Sequence, residues 1–272
     1  MITSPHNPRV KLAASLRLRR QRRKEKRILI DGTREISRAL AAGVKLHEVF
    51  FCAELCQGAD ARQLLERADL SGAEVIDVGE QVFARLAFGE RAEGIVAVAA
   101  EPPHRLEDLL RLAEQPLVAV LEGVEKPGNI GAVLRSADAA GVSAVLLASP
   151  ATDLFNPNAI RASLGTIFSV PVATAASEDV LAWLQSHELP IVAARVEGSA
   201  VYTEIDFRRP AAIVIGSEAH GLTSVWSGDD VKAVRLPMLG AADSLNLSAA
   251  AAVLFYEALR QRSGVSACVA RG

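Results

Sequence analysis

The chain has 272 residues, half of them hydrophobic, with 4% aromatic and 23% charged side chains and a formal net charge of −2. This composition is that of a globular protein long enough for two modest domains. No apolar run of 18 residues lacks polar interruptions, and MITSPHNPRVKL lacks the apolar segment of a secretory signal. Three cysteines (Cys52, Cys56 and Cys268) show no spacing typical of a disulfide or a metal site. We therefore expect a reduced, cytoplasmic protein with neither a metal site nor a membrane span.

The first 30 residues concentrate basic charge. They hold ten of the 30 Lys and Arg residues against one acidic residue, Glu25, whereas the rest of the chain carries the other 31 of the 32 acidic residues. A basic arm on a mildly acidic body favours contact with nucleic acid phosphates over a merely solvated helix face. The arm has no aromatic residue, so it offers no base stacking. Its candidate phosphate contacts are Arg17, Arg19, Arg20, Arg22 and Arg23.

Strand-like and helix-like segments alternate after the arm. The pattern predicts strands at 28–32, 46–52, 73–79 and 93–100, and helices at 33–43, 61–72 and 81–89. Such alternation is typical of a small α/β domain with several strands in one sheet. Pro102-Pro103 interrupts the pattern, so we predict a first domain at residues 1–100 and a linker at 101–110.

A second alternating set follows the linker. Strands are predicted at 116–124, 142–149, 170–175, 189–196, 211–217 and 231–238, and helices at 129–141, 158–169, 178–188 and from Leu247 onward. Near-unbroken runs of Val, Ile, Leu and Ala are typical of parallel strands that are buried on both faces. We therefore predict a second α/β domain at residues 111–264, followed by a tail at 265–272.

Three loops of the second domain carry more polar side chains than turns and helix caps require. They are LEGVEKPGNIGAVLR (121–135), IGSEAHGL (215–222) and RLPMLGAADSLNLS (235–248). Each follows a predicted strand, and ligands of open α/β sheets bind beyond the carboxyl ends of strands. Turn glycines and helix N-caps explain each loop taken singly. Dinucleotide, P-loop and hydrolase-elbow motifs are absent, and His220 has no second histidine at the spacing of a zinc site.

Taken together, the ordered motifs N-x5-R, I-G-S-E-x2-G and L-P-M-x5-S-L-N-x-S resemble the three signatures of the SpoU (TrmH) RNA ribose methyltransferases, in the SPOUT superfamily. The similarity spans about residues 116–262 and includes NPNAIRASLGTIFSVPV (156–172) as an intermediate segment. Residues 1–100 resemble the substrate-binding domain often fused in front, mainly through R-x4-E-K-R-x-L-I-D-G. The departure from the pattern is Leu247, where valine is commoner, and this apolar exchange is conservative.

The resemblance implies a fold and an activity. The fold would be an α/β-knot, a deep trefoil knot with a mostly parallel sheet, preceded by a small α/β RNA-binding domain. The cofactor would be S-adenosylmethionine, and two subunits would pair through the knot domain as a homodimer. The activity would be 2′-O-methylation of structured RNA, with 23S ribosomal RNA favoured over transfer RNA because of the separate front domain. A transfer RNA methyltransferase and a catalytically silent RNA-binding assembly protein are the alternatives.

Site residues carry over by motif position. The resemblance implies catalytic roles for Asn129, Arg135, Glu218, Ser244 and Asn246, and cofactor contacts for Gly216, Leu236, Met238 and Leu245. Arg135 would engage a phosphate or the reacting hydroxyl. Because arginine stays protonated at neutral pH, it is a poor base, and deprotonation assisted by the phosphate is easier to accept. Arg161 is a further candidate for RNA contact, with a helix-surface arginine as the alternative.

Overall fold

The computed structural model describes residues 1–88, 93–109 and 113–263. The predicted tail at 265–272, with Cys268, lies outside the described residues. The helices are α1 (Pro8–Ser15), α2 (Arg19–Glu25), α3 (Thr33–Ala41), α4 (Ala59–Leu70), α5 (Glu80–Leu86), α6 (Pro127–Ala140), α7 (Pro157–Ala162), α8 (Ser177–Ser186) and α9 (Leu247–Arg262). The strands are β1 (Arg27–Asp31), β2 (Leu46–Phe51), β3 (Glu74–Asp77), β4 (Ile95–Ala100), β5 (Leu117–Glu122), β6 (Ala144–Ala148), β7 (Val172–Ala175), β8 (Ile191–Ala194), β9 (Ala200–Val201), β10 (Ala211–Ile215) and β11 (Val231–Arg235). Within these ranges no helix has the length and apolar character needed to cross a bilayer.

The chain divides into two compact units. The N-terminal unit comprises Met1–Pro103 together with Phe155–Ser169, and the C-terminal unit comprises His104–Leu154 with the chain from Val170 onward. The segment Phe155–Ser169 contains α7 and groups with the N-terminal unit, a placement that its position in the sequence does not indicate.

A four-stranded sheet organises the N-terminal unit, in the order β1-β4-β2-β3. β4 pairs antiparallel with β1 and with β2, and β2 pairs parallel with β3. The core on one side combines strand residues such as Phe50 and Val98 with Phe83 and Leu86 of α5. The prediction of several strands in one sheet is therefore confirmed.

The basic arm is part of this folded unit. Asn7 caps α1 by accepting a hydrogen bond from the backbone N–H of Arg9 at 2.9 Å, and Pro8 occupies the first turn, where it costs no hydrogen bond. Val10, Ala13 and Leu16 of α1 and its carboxyl end are buried in the same core as α5. The charge pattern does not indicate this packing, because a count of basic residues along the arm does not reveal the apolar face formed by Val10, Ala13 and Leu16.

A seven-stranded sheet organises the C-terminal unit, in the order β7-β6-β5-β10-β8-β11-β9, with parallel pairing throughout. Every residue of β5, β6 and β10 is buried, as the sequence pattern predicts for strands covered on both faces. α6 and α9 pack against each other. The predicted α/β class with a mostly parallel sheet is confirmed.

The side chains of Glu122 and Arg195 form hydrogen bonds that hold the segment following β10 in place. The carboxylate of Glu122, only 2% exposed at the end of β5, accepts hydrogen bonds from the N–H and the hydroxyl of Thr223 and from the hydroxyl of Ser177, each at 2.8 Å. Arg195, just after β8, donates to the carbonyls of Thr223 and Trp226 at 3.1 Å. Burial by itself would raise the pKa of Glu122, but these hydrogen bonds outweigh it and hold the pKa below its ordinary value.

Replacing Glu122 with Gln is expected to lower the free energy of unfolding by about 1–3 kcal/mol at pH 7, because the donors of Thr223 and Ser177 lose a charged acceptor. A lowered carboxyl pKa stabilises the fold fully above the ordinary glutamate value of about 4.3, and the stabilisation is lost as the pH falls through the lowered value. Urea unfolding at pH 7 and at about pH 3 measures the difference, with exposed Glu125→Gln as the control. A wild-type advantage that stays constant down to about pH 3 would contradict this account.

Candidate active site

A cavity of about 370 Å³ opens in the C-terminal unit beyond the carboxyl ends of β8, β10 and β11. This is where ligands bind in open parallel sheets, and the volume is within the range of small-molecule sites. Its lining includes Arg195, Glu197, Gly216, Ser217, Glu218, His220, Leu236, Met238, Asp243, Ser244 and Leu245.

The four residues predicted to contact the cofactor all lie around this cavity. Gly216 follows β10, Leu236 and Met238 follow β11, and Leu245 precedes α9. Ser244, predicted to be catalytic, is exposed beside them. Two of the three loops, 215–222 and 235–248, therefore meet at one cavity, although their cofactor and catalytic roles remain predictions.

Gly216 is needed for the closure of its own loop. A Cβ at this position would lie 2.2 Å from the carbonyl carbon of Gly221, a distance that real side chains do not show. The N–H of Gly221 donates to the carbonyl of Ser217 at 3.0 Å, which draws the two ends of the turn together. The close approach at Gly216 is thus made by the protein backbone itself.

A cluster of polar side chains centres on Glu218, at the edge of the cavity. Its Oε1 accepts a hydrogen bond from Nδ2 of Asn129 at 3.2 Å and another from Nδ2 of Asn246. Asn246 is also the N-cap of α9, because its Oδ1 accepts from the backbone N–H of Ser248 at 3.0 Å. Three of the five predicted catalytic residues, one from each motif, are therefore in contact.

Lys126 completes this cluster and was not among the predicted site residues. Its Nζ lies 2.6 Å from Oε2 of Glu218. The hydrogen bond from Lys126 lowers the pKa of Glu218 despite partial desolvation, with a further contribution from Asn129. The same contact raises the pKa of Lys126. Glu218 is therefore ionised at neutral pH and acts as a hydrogen-bond acceptor, which makes it a poor general base there. The sequence feature that could have indicated Lys126 is its position between the end of β5 and Asn129, the first residue of the first motif.

Arg135 points away from the cluster. Six residues along a helix turn the side chain by about 600°, which leaves Arg135 about 120° around α6 from Asn129. The guanidinium is exposed, and across residues 1–88, 93–109 and 113–263 the chain gives it no hydrogen-bond or ion-pair partner. The structure thus brings Asn129, Glu218 and Asn246 together and leaves Arg135 on a free surface of the C-terminal unit.

The arginines predicted to contact RNA fall into two groups. Arg19, Arg20 and Arg23 are exposed on α2. Arg22 is only 3% exposed and donates to the carbonyls of Leu16 and Arg17 at 2.6 and 2.8 Å, so its guanidinium is buried within the N-terminal unit, away from solvent.

Arg17 and Arg161 are half-buried in the N-terminal unit. Arg17 donates to the carbonyl of Arg85 at 2.9 Å and lies 5.8 Å from the ring centre of Phe88. Arg161 donates to the carbonyl of Phe88. Both guanidinium groups have intramolecular partners, which leaves fewer N–H donors for phosphate.

The part of the chain that the structure describes contains no group of three or more His, Cys, Asp or Glu residues that could hold a metal ion. Cys52 and Cys56 are both buried as free thiols.

Comparisons with known proteins identify the family of this chain. A family model described as the SpoU rRNA Methylase family matches residues 116–256, and one described as the MRM3-like substrate binding domain matches residues 7–97. A 23S rRNA (uridine(2479)-2′-O)-methyltransferase of Streptomyces viridochromogenes is 31% identical over 255 residues, which are 90% of this chain and 86% of that relative.

Two solved structures share the fold over nearly the whole chain. An RNA 2′-O ribose methyltransferase is 42% identical, with a TM-score of 0.84 over 96% of this chain and 99% of that chain. The SpoU methyltransferase AviRb from Streptomyces viridochromogenes, in complex with the cofactor AdoMet, is 30% identical, with a TM-score of 0.87 over 95% and 99%. Since the first model spans more than half of the chain, this protein belongs to the SpoU rRNA methylase family and carries an MRM3-like substrate-binding domain in front of the methylase domain.

Proposed function

We propose that this protein transfers the methyl group of S-adenosylmethionine to a ribose 2′-hydroxyl of ribosomal RNA in the cytoplasm. One observation carries the proposal: the four predicted cofactor residues surround a single cavity whose edge holds the cluster of Asn129, Glu218 and Asn246. Ribosomal RNA is favoured over transfer RNA because the chain has a separate substrate-binding domain and because a relative is named for 23S rRNA.

The cavity fits the proposed cofactor in size and chemistry. Leu236, Met238 and Leu245 offer apolar walls for an adenine ring, and the loop at Gly216 offers backbone polar groups. When bound, S-adenosylmethionine supplies a methyl group on a sulfonium sulfur, which becomes a neutral thioether after transfer.

The residues of the chain would orient the nucleotide and assist removal of its proton. A 2′-hydroxyl is too weakly acidic to attack well at neutral pH, so position and proton removal limit the reaction. The fixed amides of Asn129 and Asn246, with the hydroxyl of Ser244, would hold the ribose. Arg135 would bind the adjoining phosphate, and an oxygen of that phosphate would take the proton, because arginine itself stays protonated.

We further propose a homodimer in which Arg135 serves the partner's cavity. α9 presents an exposed stripe of Ala249, Val253 and Tyr256 at helical spacing, and Leu239 before it is almost fully exposed. Exposed apolar residues in a row are typical of protein interfaces. Their presence in the same unit as Arg135, which has no partner among the described residues, supports a site completed by two subunits.

We also propose that each subunit contains the trefoil knot expected of this family. In the knot, the segment between β11 and α9 would pass through a loop of the C-terminal unit. This segment lines the cavity beside the loop after β10, which is where a threaded segment would bind the cofactor.

Labelled S-adenosylmethionine offered with unmodified ribosomal RNA is expected to label a ribose 2′-oxygen, whereas transfer RNA stays unlabelled.

Arg135→Ala is expected to lower the rate by about 10²–10³-fold with unchanged cofactor affinity, since it removes a charge from the reacting phosphate. Arg209→Ala, an exposed arginine of the same unit, is the control.

Labelling of transfer RNA alone would show that the substrate is transfer RNA and not ribosomal RNA. Absence of cofactor binding would favour a catalytically silent RNA-binding protein. The two-subunit site is tested by mixing the Arg135→Ala and Glu218→Gln proteins, each with low residual activity, under conditions that exchange subunits. Because one of the two sites in a mixed dimer is intact, activity is expected to return. Failure to recover activity would contradict the shared site.

The exposed arginines of α2 are expected to contact RNA phosphates. The double variant Arg20→Gln/Arg23→Gln should weaken RNA binding and reduce the slope of log affinity against log salt by about 1.4, because each phosphate contact to a single strand contributes about 0.7. Fluorescence binding titrations at several salt concentrations measure this. Arg62→Gln/Arg85→Gln makes the same charge change elsewhere on the N-terminal unit. An equal loss in the control pair would show a diffuse charge effect instead of contact by α2.

A further inference from the structure

Lys126 lies where it joins two of the signature loops. It precedes α6 with an extended backbone, four residues after the end of β5. Its ammonium group reaches Glu218, which follows β10, at 2.6 Å. The side chain of Lys126 is 68% exposed and that of Glu218 is 29% exposed. An ion pair this exposed contributes little to global stability, so its consequence is local.

The two oxygens of Glu218 have separate partners. Oε2 accepts from Lys126, whereas Oε1 accepts from the amides of Asn129 and Asn246. A carboxylate rotates readily about its last torsion. With Oε2 anchored by the ammonium group, Oε1 stays directed at the two amides. Each of those amides then presents its remaining polar atoms in a fixed direction, and Nδ2 of Asn246 also lies 3.5 Å from Oδ1 of Asn129.

We propose that Lys126 is a positioning residue for methyl transfer, because it anchors one oxygen of Glu218 so that the other holds Asn129 and Asn246 in the orientation that receives the ribose. The inference rests on the proposed function. It assigns to Lys126 an effect on the rate of transfer, exerted through Glu218 and without contact to RNA.

This arrangement has a consequence for the pH dependence. The charged and titratable groups around Glu218 are Lys126 and its neighbour Glu125 before α6, His220 on the same loop, Arg195 and Glu197 after β8, and Asp243 before α9. Lys126 donates a hydrogen bond directly to the carboxylate, and this bond makes the largest contribution to the lowered pKa of Glu218. Without Lys126 the pKa of Glu218 is higher than in wild type, because the largest lowering contribution is lost while the desolvation remains, so protonation begins at a higher pH and the amides lose their acceptor. The variant should therefore lose activity earlier than wild type as the pH falls.

The experiment measures kcat, the KM for RNA and cofactor affinity for Lys126→Gln, Glu218→Gln and the double variant. Lys126→Gln is expected to lower kcat about tenfold at pH 7, since misplacement by about 1 Å can cost up to about a hundredfold. The KM for RNA and the cofactor affinity should stay unchanged. In the Glu218→Gln background the same change should have no further effect, because the two residues act in one chain of contacts.

Two further variants separate positioning from other roles. Lys126→Arg keeps a cation next to Glu218 and should restore most of the rate. Lys232→Gln, which removes an exposed lysine of the same unit, should match wild type. The ratio of the Lys126→Gln rate to the wild-type rate should fall further as the pH is lowered from 7 to about 4, near the ordinary pKa of glutamate, whereas a purely structural defect would leave this ratio constant.

Several results would overturn the inference. A raised KM for RNA with unchanged kcat would make Lys126 a phosphate contact. Additive losses in the double variant, or a Lys126→Gln rate equal to wild type, would show that Lys126 does not act through Glu218. Absence of methyl transfer by the wild-type protein on every RNA would instead overturn the proposed function, so the two failures are distinguishable.

Discussion

The parallel pairing of β5 with β10 is the contact on which the site depends. The register sets Val120 opposite Val214 and Leu121 opposite Ile215, so the two strands end at the same edge of the sheet. Lys126 follows β5 and lies 92 positions before Glu218 in the sequence. The pairing of the two strands brings it to the loop after β10. Packing of α9 against α6 then places Asn246 beside the first turn of α6. Each catalytic candidate in the cluster comes from a different strand or helix end, and the sheet supplies their common position.

Two carboxylates in this unit are held ionised for different reasons. Glu122 is buried, and neutral donors compensate its burial, whereas Glu218 is partly exposed and paired with a lysine. A buried carboxylate with satisfied acceptors fixes a loop, while an accessible one can direct other side chains at a ligand. Neither has the raised pKa of a general base that works near neutral pH. This is consistent with a reaction in which the donor is already activated and the protein mainly supplies orientation and charge.

The basic residues of the first 30 positions divide in the same way between structure and surface. Arg9 pairs with Glu48 and Glu74 at 2.6 Å, and Arg22 satisfies backbone carbonyls at the turn between α1 and α2. Arg20 and Arg23 face solvent on the same short helix. A count of positive charge cannot separate the two groups, because an arginine that is buried against carbonyls and one that faces solvent have the same place in the sequence pattern.

The sequence by itself determined the α/β class, the parallel character of the second sheet and the three loops of the site. These follow from local apolar periodicity and from motifs whose members lie within about 15 residues of one another. The tertiary structure alone decided the ion pair of Lys126 with Glu218, the outward direction of Arg135 and the grouping of Phe155–Ser169 with the N-terminal unit. It also decided that Gly216 makes room for Gly221. Each of these depends on which distant segments pack together, and strand order and register set that packing, whereas the periodicity of a single segment carries no information about it.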